Sequence, residues 1–270
     1  VELLQAGEEA GFESAWTVEH TVVPAGYAST YPYSDDGKLA GGKNNMPLPD
    51  PLIWMAYAAA ATSRIKLGTG ILILPQHSPV VAAKQIATLD YMSRGRVLLG
   101  IGVGWMKEEF DAIGVPFEHR GRRTDEYIAA MRELWSADEP TFHGEFVNFD
   151  RAICQPQPVN GAVPIIVGGH SKAAARRAGR LGDGFFPARG ASAELIDLVR
   201  RSADEHGRDP DAIEITTSLP DDLDTIPDLA AIGVSRLLVP VTQMAGLKTR
   251  ISGPEEARNW RDRIEKYADV

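Results

Sequence analysis

The sequence predicts a (β/α)8 barrel of the TIM type. Helical and strand periods alternate along the chain, the pattern of parallel strands joined by helical crossovers. Strand segments such as VLLGIGV and PIIVGG are unbroken apolar runs, as suits strands covered on both faces. The length, 270 residues, matches a barrel of ordinary size, about 250 residues. Seven strands can be counted, each followed by a helix, one short of eight. The chain opens in a helix without a start methionine, so the expected first strand lies upstream of residue 1. One domain spanning 1–270 is expected, and an open doubly wound sheet is the alternative.

The elements follow in order. Residues 1–11 read as a helix stopped by Gly11, and ESAWTV (13–18) as a strand. Residues 20–49 form a long loop rich in Gly, Pro, Ser and Asn. Loops of that length usually carry function, and this one is expected to cover a substrate. Asp50 caps a helix with Pro51 at its first position. IKLGTGILIL (65–74) is a strand, and Ser78 and Pro79 start a helix that stops near Gly95. RVLLGIGV (96–103) is a strand, 123–135 a helix, and FHGEFVNF (142–149) a small hairpin. VPIIVGG (163–169) is a strand followed by the helix SKAAARRAGRL. GDGFFPA is a short strand, and the next helix closes at Gly207. AIEITTS (212–218) and SRLLVPV are strands on either side of a short helix. PEEARNWRDRIEKYA reads as one closing helix.

Composition narrows the partners. Formal net charge is −9 and no long basic tract occurs, which argues against nucleic acid. The longest uncharged apolar run, Leu52 to Ala61, falls well short of the ~20 residues that span a bilayer. The amino end is acidic and amphipathic, unlike a signal peptide. Cys154 is the only cysteine, so no disulfide can form within the chain, and a cytoplasmic location is expected.

LLGIGVGW (98–105) places Gly100, Gly102 and Gly104 at alternate positions after an apolar run. A dinucleotide fingerprint, G-x-G-x-x-G, would need glycine at 105 or 107, where Trp105 and Lys107 stand. The expectation is instead a strand end stripped of side chains, where a flat ring approaches the backbone. Gly68 and Gly70 flank Thr69 in a second strand, suggesting a bulge or a close approach. In VGGHS, Gly168 and Gly169 close a third, and Ser171 is placed to cap the next helix, whose N–H groups attract an anion. Lys172, Arg176 and Arg177 would add positive charge there, and HRGRR (119–123) would neutralise an anionic tail.

Four ordered blocks resemble the luciferase-like monooxygenase superfamily, and more closely its actinobacterial branch that uses the deazaflavin coenzyme F420. They are EEAGFESAWTVEH (8–20), IKLGTGILILP (65–75), VLLGIGVGWMKEEFDAIGVPFEHRGRRTDEY (97–127) and PIIVGGHSKAAARRAGRLGDGFFP (164–187). The resemblance implies an eight-stranded barrel of the bacterial luciferase type that forms a homodimer. It also implies a non-prolyl cis peptide, placed at Gly70–Ile71, in a bulge of Thr69, Gly70 and Ile71 against the central ring of the cofactor. By the same resemblance, Gly102, Val103, Gly104 and Trp105 meet the ring edge and ribityl chain, and Gly168, Gly169, His170 and Ser171 hold the phosphate. Deazaflavin-dependent sugar-phosphate dehydrogenases of the superfamily carry a catalytic glutamate where Trp105 stands, which points away from that substrate class.

Glu19 and His20 end the second strand on the expected active rim. Histidine exchanges protons near neutral pH, so His20 is the expected proton donor or acceptor beside the ring, oriented by Glu19. His77, His119, His143 and His206 are expected to be structural, and Glu108 and Glu109 to favour a helix dipole. No metal set stands out. The resulting expectation is hydride transfer between coenzyme F420 and a small organic substrate. The alternative is an FMN-dependent two-component monooxygenase, which would need a separate cofactor reductase.

Overall fold

A computed structural model describes residues 1–39, 45–241 and 248–268. In chain order the elements are α1 (Glu2–Ala10), β1 (Ser14–Thr17), α2 (Pro51–Ala61), β2 (Lys66–Thr69), β3 (Leu72–Ile73), α3 (Pro79–Ser93) and β4 (Val97–Gly102). There follow α4 (Lys107–Ala112), α5 (Arg120–Ser136), the hairpin strands β5 (Phe142–His143) and β6 (Asn148–Phe149), β7 (Ile165–Gly168), α6 (Lys172–Leu181) and β8 (Gly184–Phe186). The chain continues through α7 (Ala193–Asp204), β9 (Glu214–Ser218), α8 (Ile226–Ala231), β10 (Arg236–Leu238), α9 (Pro254–Arg258) and α10 (Arg261–Tyr267). All the expected strands are present, and the second of them is interrupted at Gly70–Ile71.

Two compact units can be distinguished, one of Trp16–Pro32 and Asn44–Pro164, the other of Val1–Ala15, Tyr33–Lys43 and Ile165–Val270. In the first, β4 takes β2 as a parallel partner through Leu67–Val97 and Gly68–Leu98. Further along it takes β3 through Leu72–Ile101 and Ile73–Gly102. Every residue of β4 is buried, which explains its apolar run. In the second unit β7, β8, β9 and β10 pair in parallel, in sequence order. Helices α2, α3 and α5 pack together in the first unit, α6 and α7 in the second.

Local chemistry sets the element ends. The Asp50 carboxylate accepts from the Ile53 N–H at 2.9 Å, with Pro51 at the first helical position. Gly11 closes α1 at φ 98°, a conformation that costs glycine little. The closing helix departs from expectation. It is split into α9 and α10, with Asn259 and Trp260 between them. Trp260 is buried with Ala6, Ile251 and Ala257, its ring centroid 6.1 Å from that of Phe12. Burial of the indole under α1 outweighs the helical period of the sequence.

Asp90, near the end of α3, is buried and ties three segments together. Its carboxylate accepts from the N–H groups of Val97 and Val159 at 3.3 and 2.9 Å, and its carbonyl accepts from the Gly95 N–H. Burial raises its carboxyl above the usual range, and the Val159 and Val97 N–H groups pull it partly back. Asp90→Ala leaves the buried Val97 N–H unpaired. It should cost about 1–3 kcal/mol, read as a lower midpoint in chemical denaturation.

Candidate active site

The end of β4 shows why its glycines are there. A β-carbon on Gly100 would lie 1.8 Å from the Thr69 carbonyl oxygen. One on Gly102 would meet Ile71 at 2.5 Å, and one on Gly104 would meet Phe110 and Ile73 at 2.7 and 2.8 Å. On β2, a β-carbon at Gly68 would strike the Trp16 ring at 2.6 Å. The Thr69 hydroxyl donates to the Gly100 carbonyl at 2.6 Å. The side on which a β-carbon would project from each of these glycines is therefore occupied by the protein's own groups. Gly104 also needs its φ of 78° to turn the chain out of β4 and present Trp105. The Gly70–Ile71 peptide bond is cis, where the resemblance placed it, and the Gly70 N–H donates to the Thr17 carbonyl at 2.6 Å. Val103 is half-buried beside Gly104.

Glu19 and His20 each belong to an acid–imidazole pair in this unit, and their partners differ from expectation. Glu19 does not orient His20. It is buried, with one oxygen accepting from the Ile73 N–H at 2.5 Å and the other bonded to His77 Nε2 at 2.8 Å. His20 is held instead by Glu109, through Nδ1 at 2.9 Å. The side chains of His20 and Glu109 are only 8% and 1% exposed. The second Glu109 oxygen accepts from the N–H groups of Thr21 and Val22 at 2.7 and 3.3 Å. A buried carboxylate is costly unless its oxygens are partnered, and here three donors partner it. With Nδ1 given to Glu109, Nε2 is the atom of His20 that can accept or deliver a proton.

Trp105 lies beside this pair in an aromatic cluster. Its ring centroid is 5.9 Å from that of His20, 5.5 Å from Tyr27 and 5.1 Å from Tyr31. The His20 and Tyr27 rings meet it nearly edge-on, an arrangement aromatic quadrupoles favour. The loop after β1 thus delivers two tyrosines to Trp105, while β4 delivers the indole itself.

The arginines of HRGRR are each engaged by groups of the protein itself. Arg120 donates to the Gly104 carbonyl at 3.1 Å and lies over the Phe117 ring; burial pulls its pKa down. Arg122 pairs with Glu145, and buried Arg123 donates to the carbonyls of Pro116 and Glu118. Arg120 and Arg123 brace the segment between α4 and α5, and Arg122 ties α5 to the β5–β6 hairpin. Among the described residues no group of His, Cys, Asp and Glu is arranged to hold a metal ion.

The other unit carries the residues expected to hold an anion. Gly168 ends β7, and Gly169 turns at φ 130°, its N–H donating to the Phe186 carbonyl at 3.1 Å. The Ser171 hydroxyl caps α6 by accepting from the Ala174 N–H at 3.1 Å. His170 Nδ1 accepts from the Arg189 N–H at 3.4 Å, and burial followed by the Arg189 charge pushes its pKa down. Its own backbone N–H meets the Tyr33 hydroxyl, whose pKa is raised by burial. Tyr33 and Arg189 join this corner although no motif singled them out for it. Lys172 is engaged by Glu194 at 3.0 Å.

With this geometry in place, similarity to known proteins can be weighed. The family model for luciferase-like monooxygenases matches residues 1–221. The chain belongs to the luciferase-like monooxygenase family. An uncharacterised protein of Mycobacterium tuberculosis is 38% identical over 161 residues, covering 60% of this chain and 57% of that protein. An F420-dependent glucose-6-phosphate dehydrogenase of Mycolicibacterium gilvum is 30% identical over 279 residues, covering 100% of this chain and 75% of the enzyme. An FMNH2-dependent dimethylsulfone monooxygenase of Pseudomonas fluorescens is 34% identical over 212 residues, 76% of this chain and 52% of the enzyme. The match thus spans little more than half the length of some relatives. Among solved structures, monooxygenase RslO1 of Streptomyces bottropensis aligns at TM-score 0.72 and 21% identity, over 98% of this chain and 91% of its own. The luciferase-like protein therefore has the barrel fold of its family, and the open doubly wound sheet is set aside.

The His77 pair makes a pH prediction. Burial lowers the imidazole pKa, but the bond to Glu19 and the charges of Glu19, Asp50 and Glu109 outweigh it, so the pKa sits above its ordinary 6.5. A raised folded value means that the charge on His77 stabilises the fold fully below pH 6.5, and that this contribution is lost as pH rises through the folded value. His77→Gln keeps an N–H donor without the charge. Its stability deficit, followed by urea denaturation, should be largest at acidic pH and shrink steadily in alkali.

Proposed function

We propose that the protein is an oxidoreductase that transfers hydride between coenzyme F420 and a small organic substrate, with His20 moving the proton. The observation that carries this is the buried His20–Glu109 pair beside Trp105, at the end of the glycine-rich strand. The residues fit a redox cofactor because they provide proton chemistry and no redox group of their own. When bound, the cofactor supplies the hydride chemistry. Glu109 holds the imidazole in one tautomer, and the Trp105 cluster shields His20 from water. Thr69, Gly70 and Ile71 form the bulge proposed to support the ring, with Gly102, Val103, Gly104 and Trp105 at its edge. Gly168, Gly169, His170 and Ser171 are proposed to hold the phosphate at the start of α6. Glu19 serves through His77 rather than through His20.

The deazaflavin reading draws support from the M. gilvum dehydrogenase, whose likeness runs over the whole chain. The second reading, FMN-dependent monooxygenation with a separate reductase, is favoured by the higher identity to the dimethylsulfone enzyme. Titrating the apo protein with each cofactor separates them. Deazaflavin should bind with quenching of protein fluorescence and FMN should not; the reverse result installs the second reading, and binding of neither removes both. His20→Ala should leave cofactor affinity within about threefold and lower turnover with any substrate found by about 10²–10⁴-fold.

A homodimer is proposed through the outer face of α2 and α3. Ile53 and Tyr57 on α2, and Val81, Tyr91 and Met92 on α3, are exposed, an apolar concentration that fits a self-complementary contact. Ile53→Asp should shift sedimentation from dimer to monomer while the fold persists. The single free cysteine fits a cytoplasmic location, and no described helix is long and apolar enough to cross a membrane.

A further inference from the structure

Two consecutive carboxylates at the start of α4 grip the loop that leaves β1 at separate points. Glu109 takes its near end, accepting from His20, Thr21 and Val22. Glu108 takes its far end: one oxygen accepts from the N–H groups of Ala28 and Ser29 at 2.7 and 3.1 Å. The Lys107 N–H closes the same junction by donating to the Ser29 hydroxyl at 3.1 Å. Between and just beyond these grips sit Tyr27 and Tyr31. Tyr27 is buried against Trp105, and Tyr31 is tilted over the same indole.

The two grips differ in their access to water. Glu109 is 1% exposed, whereas the bond from Ala28 to Glu108 lies at the surface. Water competes more readily for the exposed Ala28 bond to Glu108 than for the part-buried bonds to Glu109, so the outer junction opens at lower cost. We propose that segment 20–31 is a strap over Trp105, that its outer end opens by release from Glu108, and that Glu108 is a positioning residue for the aromatic cluster. The inner end stays fixed, so His20 keeps its orientation while Tyr27 and Tyr31 move. Glu108 is held ionised to about pH 2, first by the Ser29 hydroxyl and then by backbone N–H groups, so the strap is not a switch at physiological pH. Its role at a cofactor or substrate site rests on the function proposed above; the mechanical assignment does not.

Glu108→Ala and Glu108→Gln test it, with Trp105→Phe to assign the indole signals by difference. In Glu108→Ala, amide exchange at Ala28 and Ser29 should rise about tenfold or more, while Thr21 and Val22 stay within about twofold. Acrylamide quenching of the Trp105 component should increase and its near-UV dichroism should fall. Glu108→Gln, which retains an acceptor oxygen, should restore both signals. Unchanged exchange at Ala28 and Ser29 would overturn the assignment, as would equal acceleration at Thr21 and Val22, because the loop would then move as one piece. Faster exchange with unaltered quenching would defeat the claim that the strap covers Trp105. Where FMN or deazaflavin binds the wild type, both its association and its dissociation should quicken in Glu108→Ala. If neither binds, the proposed function fails, and exchange and quenching still decide the strap.

Discussion

The buried carboxylate of Glu109 organises the site. It stands in the first turn of α4, four residues past Trp105, and gathers one imidazole and two backbone N–H groups from a loop some ninety positions earlier in sequence. Such a charge is tolerable in the interior only with its oxygens partnered. The requirement works in both directions. The loop after β1 must return to α4 to satisfy Glu109, and in doing so it sets His20 edge-on to Trp105. The adjacent Glu108 extends the arrangement to Ala28 and Ser29, so two neighbouring side chains set the course of a ten-residue loop segment.

Much of the fold was legible because its signals are local. Alternating periods, the Asp50–Pro51 helix start, the Ser171 cap and the stops at Gly11 and Gly95 depend on residues close in sequence. The closing helix was misread as continuous because burial of Trp260 against Ala6 and Phe12 is a long-range effect. The glycines of LLGIGVGW were legible as positions without room for a side chain. What fills the room was not. Thr69, Ile71, Phe110 and Ile73 arrive from other segments, and only the structure shows that they stand where β-carbons of these glycines would project.

The site was half legible. Residue types that exchange protons marked the end of β1, but sequence adjacency suggested that Glu19 orients His20. Both residues lie just past β1, which ends at Thr17, and each takes its partner from elsewhere: Glu109 for His20 and His77 for Glu19. The doublet Glu108–Glu109 carried a usable signal, two acids directly after a strand end lined with glycine. The helix dipole offered a sufficient local reason for it and concealed the long-range one. Tyr33 and Arg189 carried no comparable signal, since their relation to His170 depends on loops.

The arginines of HRGRR show why cofactor choice is harder to read than proton chemistry. An arginine count registers charge but not its engagement, and here Arg120, Arg122 and Arg123 are bound to Gly104, Glu145, Pro116 and Glu118. Arg120 and Arg123 are taken up by the protein's own carbonyls, while Arg122 stays exposed in a surface pair with Glu145. His20 is different, because its chemistry depends on a tautomer that one partner determines. Glu109 occupies Nδ1 and leaves Nε2 as the nitrogen available for the proton exchange proposed above. The proposed proton role therefore does not depend on how its relatives divide between FMN and F420. The bonds that hold His20 and its neighbours to Glu109 all lie within one unit.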